Sequence, residues 1–103
     1  MKYRKRVKIT EISQLQPGIV SLWIEDKEIV NEGKAGQFLS IYSDDKSRLL
    51  PRPISICQID KAQGKLRMVF RVAGKGTEEF SKKQAGEYLD VVGPLGNGYA
   101  PSE

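Results

Sequence analysis

Leu66-Arg67-Met68-Val69-Phe70-Arg71-Val72 puts Leu66, Met68, Phe70 and Val72 on one face and Arg67, Val69 and Arg71 on the other. That period of two is the signature of a half-buried strand. The same rhythm recurs upstream. Val7 and Ile9 alternate with Arg6, Lys8 and Thr10, and Val20, Leu22 and Ile24 alternate with Ser21, Trp23 and Glu25. Gln16-Pro17-Gly18 supplies the turn between these two runs, an opening hairpin or meander. Residues 33–36 form a second turn, 38–42 a third strand, and Ser43-Asp44-Asp45-Lys46-Ser47 a polar loop. Residues 52–59 read as a fourth strand, and Pro51 and Pro53 restrict its start to a sheet edge or rim. After a turn over 60–65 comes the opening stretch itself, and residues 88–92 supply a sixth strand.

One helical stretch interrupts the pattern, from Thr77 to about Gln84. Thr77 is placed to cap it, and Glu78 and Glu79 suit the positive end of its dipole, which explains that acidic pair without catalysis. Gly86 suits a left-handed stop just beyond. Six short strands with one short helix define an all-β domain, a six-stranded antiparallel barrel that removes its own sheet edges by closing. So small a barrel has interior space for side chains only, which sends any ligand to the rim.

The 103 residues suffice for one hydrophobic core and one domain, 1–103. Apolar runs last only a few residues, far short of the ~20 of a membrane-spanning helix. The basic start, Met1 to Lys8, is followed by no apolar signal region, so a cytoplasmic protein is expected. The single cysteine, Cys57, rules out an internal disulfide and a multi-cysteine cluster within the chain, and its strand context suggests a small buried hydrophobe. Histidine is absent, which removes the usual general base and the commonest metal ligand. Any chemistry must come from a cofactor. The net charge of +4 is concentrated in Lys2, Arg4, Lys5, Arg6 and Lys8. These residues could steer nucleic acid or an acidic partner, but a solvated edge strand protected by its charges is the favoured reading.

Three segments could carry a ligand. Arg52 and Ser55, three residues apart at the mouth of a strand, can grip a phosphate and meet a polar ring edge. Gly74-Lys75-Gly76-Thr77 offers free amides at a helix start, suited to a pyrophosphate. Each also has an ordinary explanation: a surface ion pair for the first, a glycine turn feeding a capped helix for the second. Gly93-Pro94-Leu95-Gly96-Asn97-Gly98 lacks the lysine and following helix of a phosphate-binding loop and reads as a tight, close-packed loop.

In combination these residues carry a resemblance. Leu49-Leu50-Pro51-Arg52-Pro53-Ile54-Ser55-Ile56, then Val69-Phe70-Arg71-Val72 with Gly74-Lys75-Gly76-Thr77, then Leu89-Asp90-Val91-Val92-Gly93-Pro94-Leu95-Gly96-Asn97-Gly98-Tyr99 together resemble the FAD-binding domain of the electron-transfer subunit of type B dihydroorotate dehydrogenase, in the ferredoxin-NADP reductase superfamily. The resemblance implies a Greek-key barrel with FAD along its rim, in a protein of pyrimidine biosynthesis. It implies that Arg52 binds the flavin's phosphates, Pro53 and Ile54 lie along the cofactor, and Ser55 faces the isoalloxazine. It assigns Val69, Phe70 and Arg71 to the ribityl and adenine side, and Gly76 and Thr77 to backbone and hydroxyl contacts with the pyrophosphate. It also implies an FMN-containing catalytic subunit as partner, with electrons relayed between FAD, a [2Fe-2S] cluster and NAD. Ile54 stands where many members of the superfamily have a tyrosine, which fits the dihydroorotate branch. The chain stops at Glu103, before the nicotinamide-binding and cluster-binding parts of that family, so it reads as a fragment or split gene product that does not act alone.

A small basic barrel with Tyr3, Trp23, Phe38, Tyr42, Phe70 and Tyr99 also fits a module that stacks single-stranded nucleic acid, although no strand gathers aromatics and glycines in the required run. A cofactor-free assembly scaffold is the third reading. Neither nucleic acid nor a membrane is the expected partner.

Overall fold

The computed structural model describes residues 4–42 and 51–96. The polar loop 43–47, Leu49-Leu50, Tyr3 and Asn97-Gly98-Tyr99 lie outside the described residues. Six strands form the fold: β1 (Lys5–Gln16), β2 (Ile19–Glu25), β3 (Phe38–Tyr42), β4 (Arg52–Asp60), β5 (Lys65–Arg71) and β6 (Tyr88–Leu95). They fall where the alternation places them. All neighbours are antiparallel, and the order β1-β2-β5-β4-β3-β6 closes on itself as a barrel.

Alternation decides which side chains fill the interior. Leu66, Met68 and Phe70 of β5 point inward with Val20, Leu22 and Ile24 of β2, while Ile54 and Ile56 enter from β4. Every one of these is at most 7% exposed, so the barrel is packed solid.

Two short helices close the ends, one more than the sequence suggests. α1 (Lys27–Glu32) follows β2; Asp26 caps it, accepting from the Ile29 amide at 3.0 Å. Ile29 and Val30 are buried in the core. Six residues are too few to display a helical period, so only the capping aspartate signals this element. α2 (Lys75–Ser81) begins and ends earlier than expected and sends Phe80, 1% exposed, into the core from the end where β5 stops.

Several local expectations are corrected. β1 is not an edge, because closure pairs it with β2 on one side and β6 on the other. Basic residues at and just before its start serve instead in ion pairs: Arg4 and Arg6 with Asp90, at 3.3 and 3.1 Å, and Lys5 with Asp26 and Glu28, at 3.0 and 2.6 Å. Cys57 is exposed rather than buried, since Ile54 and Ile56 take the inward positions and Cys57 falls at a register shift between Ile56 and Gln58. Gly86, at φ +95°, stands five residues past Ser81 and donates its amide to Ile9 O, so it turns the chain into β6 and does not stop the helix. Gly93 to Leu95 are strand rather than loop, although the close packing is present. A Cβ on Gly93 would stand 2.7 Å from Leu39 Cδ2 and 3.0 Å from Phe38 O.

The Lys5 cluster ties α1 to β1 and gives a pH dependence. The hydrogen bond to Glu28, with help from Asp26 and against some burial, raises the Lys5 ammonium above its ordinary 10.5. Its stabilisation is therefore complete below pH 10.5 and is lost as pH climbs through the raised folded value. With the side chain 36% exposed, solvent screening holds the effect to about 1 kcal/mol or less. Lys5→Met is expected to lower the urea midpoint slightly at pH 8, and the difference from the native chain should vanish in strong alkali.

Candidate functional site

The β4–β5 ladder runs from Asp60↔Lys65 only as far as Ile56↔Met68. Beyond that point Arg52 to Ser55 stay with β3, while Val69 to Arg71 stay with β2. Proline keeps the strands from rejoining beyond Ser55. The Ile56 amide donates to Gln37 O on the β3 side, so alternation turns the main chain of residues 51, 53 and 55 toward β5. Ser55 has an N–H to give, but Pro53 and Pro51 beyond it have none, so the ladder is not rebuilt further along β4.

Where the strands part, a cleft of about 270 Å³ opens, lined by Arg52, Pro53, Ile54, Ser55, Val69, Phe70, Arg71, Ala73 and Thr77. Eight of the nine sequence-predicted residues meet in this one place, and the ninth, Gly76, falls in the first turn of α2. Ala73 was missed because a methyl side chain carries no chemical signal. Ile54 and Phe70, 4% and 7% exposed, form the floor and belong equally to the core. Arg52, Ser55 and Arg71 are exposed around the mouth. None of the three side chains has a hydrogen-bond or ion-pair partner among the described residues. No carboxylate of the described residues lines the cleft, so two guanidinium groups without partners among those residues make it a place for an anion.

Thr77 has a different local role from the one expected. Gly74, at φ +96°, is the N-cap of α2 and makes no side-chain capping bond; Thr77 is the third helical residue. Its buried hydroxyl accepts from the Ala73 amide at 2.7 Å and donates to Gly74 O at 3.3 Å. It thus locks the β5–α2 turn rather than projecting toward a ligand. The helical ladder starts with Glu78 N on Gly74 O, so the amides of residues 75–77 precede it. Thr77→Val is expected to cost about 1–2 kcal/mol by leaving the Ala73 amide unpaired, measured as a lower denaturant midpoint at unchanged slope.

Among the described residues, the aromatics named for nucleic-acid stacking do not share a surface. Trp23 lies on β2 and Phe38 and Tyr42 on β3, two strands kept apart by β5 and β4. Phe70 is buried, and the Arg4 guanidinium covers the Tyr42 ring at 4.3 Å. A second cavity of about 220 Å³, between β1 and the end of α2, contains none of the predicted site residues. Among the described residues no helix is long and apolar enough to cross a membrane.

A closed barrel of this order, with a cleft between its β4 and β5 strands, has the fold of the FAD-binding domains of ferredoxin reductases. An NADH-dependent reduced ferredoxin-NADP oxidoreductase superimposes with a TM-score of 0.77 and 31% identity, covering 91% of this chain and 34% of that one. The fold is also that of a flavohemoglobin from Malassezia yamatoensis, solved with bound FAD and heme, at a TM-score of 0.69 and 24% identity, over 91% of this chain and 25% of the other. No protein-family model matches the chain. It is 41% identical over 97 residues to the electron transfer subunit of dihydroorotate dehydrogenase B (NAD(+)) from Streptococcus pneumoniae, 94% of this chain and 38% of that subunit. With the corresponding subunit of Enterococcus faecalis the identity is 42% over 98 residues, 93% of this chain and 37% of the other. The chain is a homologue of the dihydroorotate dehydrogenase B electron transfer subunit and spans a little over a third of the length of these relatives.

Proposed function

We propose that this chain is the FAD-holding domain of a dihydroorotate dehydrogenase-type electron-transfer flavoprotein, and that the cleft between β4 and β5 is where FAD is held. The supporting observation is the meeting of Arg52, Ser55 and Arg71, all without partners among the described residues, around one cleft that no carboxylate of those residues lines. The donor set fits the cofactor: guanidinium groups for phosphate, a serine for a polar ring edge, and the amides before α2 for the pyrophosphate. FAD exceeds drug-sized ligands, whose pockets span roughly 300–1,000 Å³, so a cleft of about 270 Å³ takes only part of it. The remainder would run over the outer surface. When bound, FAD would supply the electron chemistry.

In this reading the chain's own residues bind and orient. Arg52 holds phosphate and Ser55 meets the ring edge, while Pro53, Ile54, Val69, Phe70 and Arg71 shape the walls. Gly76 and Thr77 offer main-chain amides, and the Thr77 hydroxyl keeps their turn in place. NAD, a [2Fe-2S] cluster and an FMN-containing catalytic subunit would be engaged by the rest of the electron-transfer protein and its partner. The domain, 1–103, would not complete that relay alone. An exposed, unpaired Cys57 suits the reducing cytoplasm.

Titration of FAD into the purified chain, followed by flavin fluorescence and absorbance, tests the proposal. Saturable one-to-one binding is expected. Salt-sensitive binding of single-stranded RNA in its place would favour the nucleic-acid module, and binding of neither would leave the scaffold.

A further inference from the structure

The second cavity, of about 220 Å³, shares a wall with the cleft. From β5 through α2, Phe70, Arg71, Ala73 and Thr77 line the cleft, whereas Val72, Ser81 and Lys83 line the second cavity. The floor repeats the arrangement, because Val20, which opens on the second cavity, pairs across the sheet with Phe70. Thr77 and Ser81 stand four positions apart on one face of α2, so a rise of roughly 6 Å separates the places where the helix meets the two cavities. Between them Phe80 anchors the helix in the core, and upstream the Val72 amide donates to Gly18 O at 2.8 Å.

The lining sets what this cavity takes. Ile12, Val20 and Val72 give it branched aliphatic walls continuous with the core. Ser13 and Gln14 bring a hydroxyl and an amide whose side chains have no partner among the described residues. The Ser81 hydroxyl donates to Glu78 O at 2.7 Å and can still accept. Lys83, the charged residue of the lining, already has a partner. Unlike the cleft, the cavity has no unpaired charge to offer among the described residues, so it suits a neutral molecule. Its volume is below the roughly 300 Å³ at which drug-sized sites begin, which limits that molecule to a short branched chain ending in an amide or alcohol.

We propose that the second cavity binds a small neutral amphiphile and that its occupation strengthens FAD binding in the cleft. The coupling rests on the proposed function; the site itself does not. A molecule filling the cavity touches β1 and β2 on one side and Val72 and Ser81 on the other, and so ties the β5–α2 segment to the barrel where those residues are half-exposed. Restraint of Val72 passes along the chain to Arg71 and Ala73. Restraint of Ser81 passes through one helical turn to Thr77, whose hydroxyl holds the Ala73 amide. Part of the ordering that FAD would otherwise impose on the cleft is then already made, which is positive cooperativity. The effect is reciprocal, and FAD must tighten the neutral ligand by the same factor.

The probe is isovaleramide, a branched aliphatic amide, with isovalerate as its anionic counterpart, each titrated into the full chain and followed by backbone amide NMR, with FAD affinity read by flavin fluorescence. Isovaleramide is expected to shift the amides of Ser13, Gln14, Val72 and Ser81 saturably, with isovalerate several-fold weaker. At saturation it should lower the Kd for FAD about fivefold, and FAD should lower the Kd for isovaleramide by the same factor. Ser13→Phe and Ser81→Leu, which fill the cavity from β1 and from α2, should each weaken isovaleramide at least about tenfold. Should one of them fail to fold, the other decides. Absence of saturable binding, shifts centred elsewhere, or native affinity in the filled variants overturns the site, and tighter binding of isovalerate overturns its neutral character. Isovaleramide bound in the cavity with FAD affinity unchanged within about twofold overturns the coupling alone. A chain that takes isovaleramide and no FAD overturns the coupling together with the proposed function.

Discussion

Phe80→Ala is expected to destabilise the protein by about 3–5 kcal/mol, the cost of removing a large aromatic from a site that cannot collapse. Phe80 is the largest fully buried side chain of the described residues and the residue by which α2 enters the core. Since a domain of this size is stable by only about 5–15 kcal/mol, the loss would be a large part of the whole. Urea unfolding should show a lower midpoint with a similar slope, and Phe80→Leu should recover much of the difference. The substitution would act on the cleft as well. Thr77 and Ala73 line it from α2 and its preceding turn, and their place depends on the helix being seated. A midpoint within about 1 kcal/mol of native would contradict the packing described.

Arg52→Ala is expected to weaken FAD binding at least about tenfold, the loss of one charge-assisted pair of roughly 1.5–3 kcal/mol. Folding stability should change by no more than about 0.5 kcal/mol, because the side chain is exposed and bonded to no other described residue. The two readouts separate a ligand-binding arginine from a structural one. Arg52→Lys should fall between, keeping a point charge but losing the fork that meets phosphate at two oxygens. Unchanged FAD affinity in Arg52→Ala would remove this residue from the site.

Much of the fold was legible because β structure writes its register into alternate residues. Leu66 to Val72 announce a strand, and six such runs in so short a chain leave closure as the economical way to dispose of edges. Features that depend on which strands become neighbours were not legible. The basic run of β1 resembles edge protection until closure brings Asp90 and α1 alongside. Cys57 sits one step off the Ile54 and Ile56 alternation, beside a register shift that only the partner strand defines.

The candidate site divides in the same way. Arg52, Ser55 and the glycine-threonine turn stand out for their chemistry, whereas the cleft between them depends on where β4 leaves its ladder with β5, which Pro53 and Pro51 do not rejoin. Thr77 was recognised as important for the wrong reason: its hydroxyl is used within its own turn. Ile12, Val20 and Ser81, from three different elements, gave no sign of sharing a cavity until the barrel was closed.

The most direct measurement is a residue-resolved map of FAD on the folded chain, from backbone amide NMR shifts during titration. The account predicts that the largest changes fall together on Ser55, Val69, Arg71 and Thr77, the residues facing the gap between β4 and β5. Changes confined to Ser13, Gln14 and Ser81 around the second cavity, or no localised changes at saturating FAD, would contradict it.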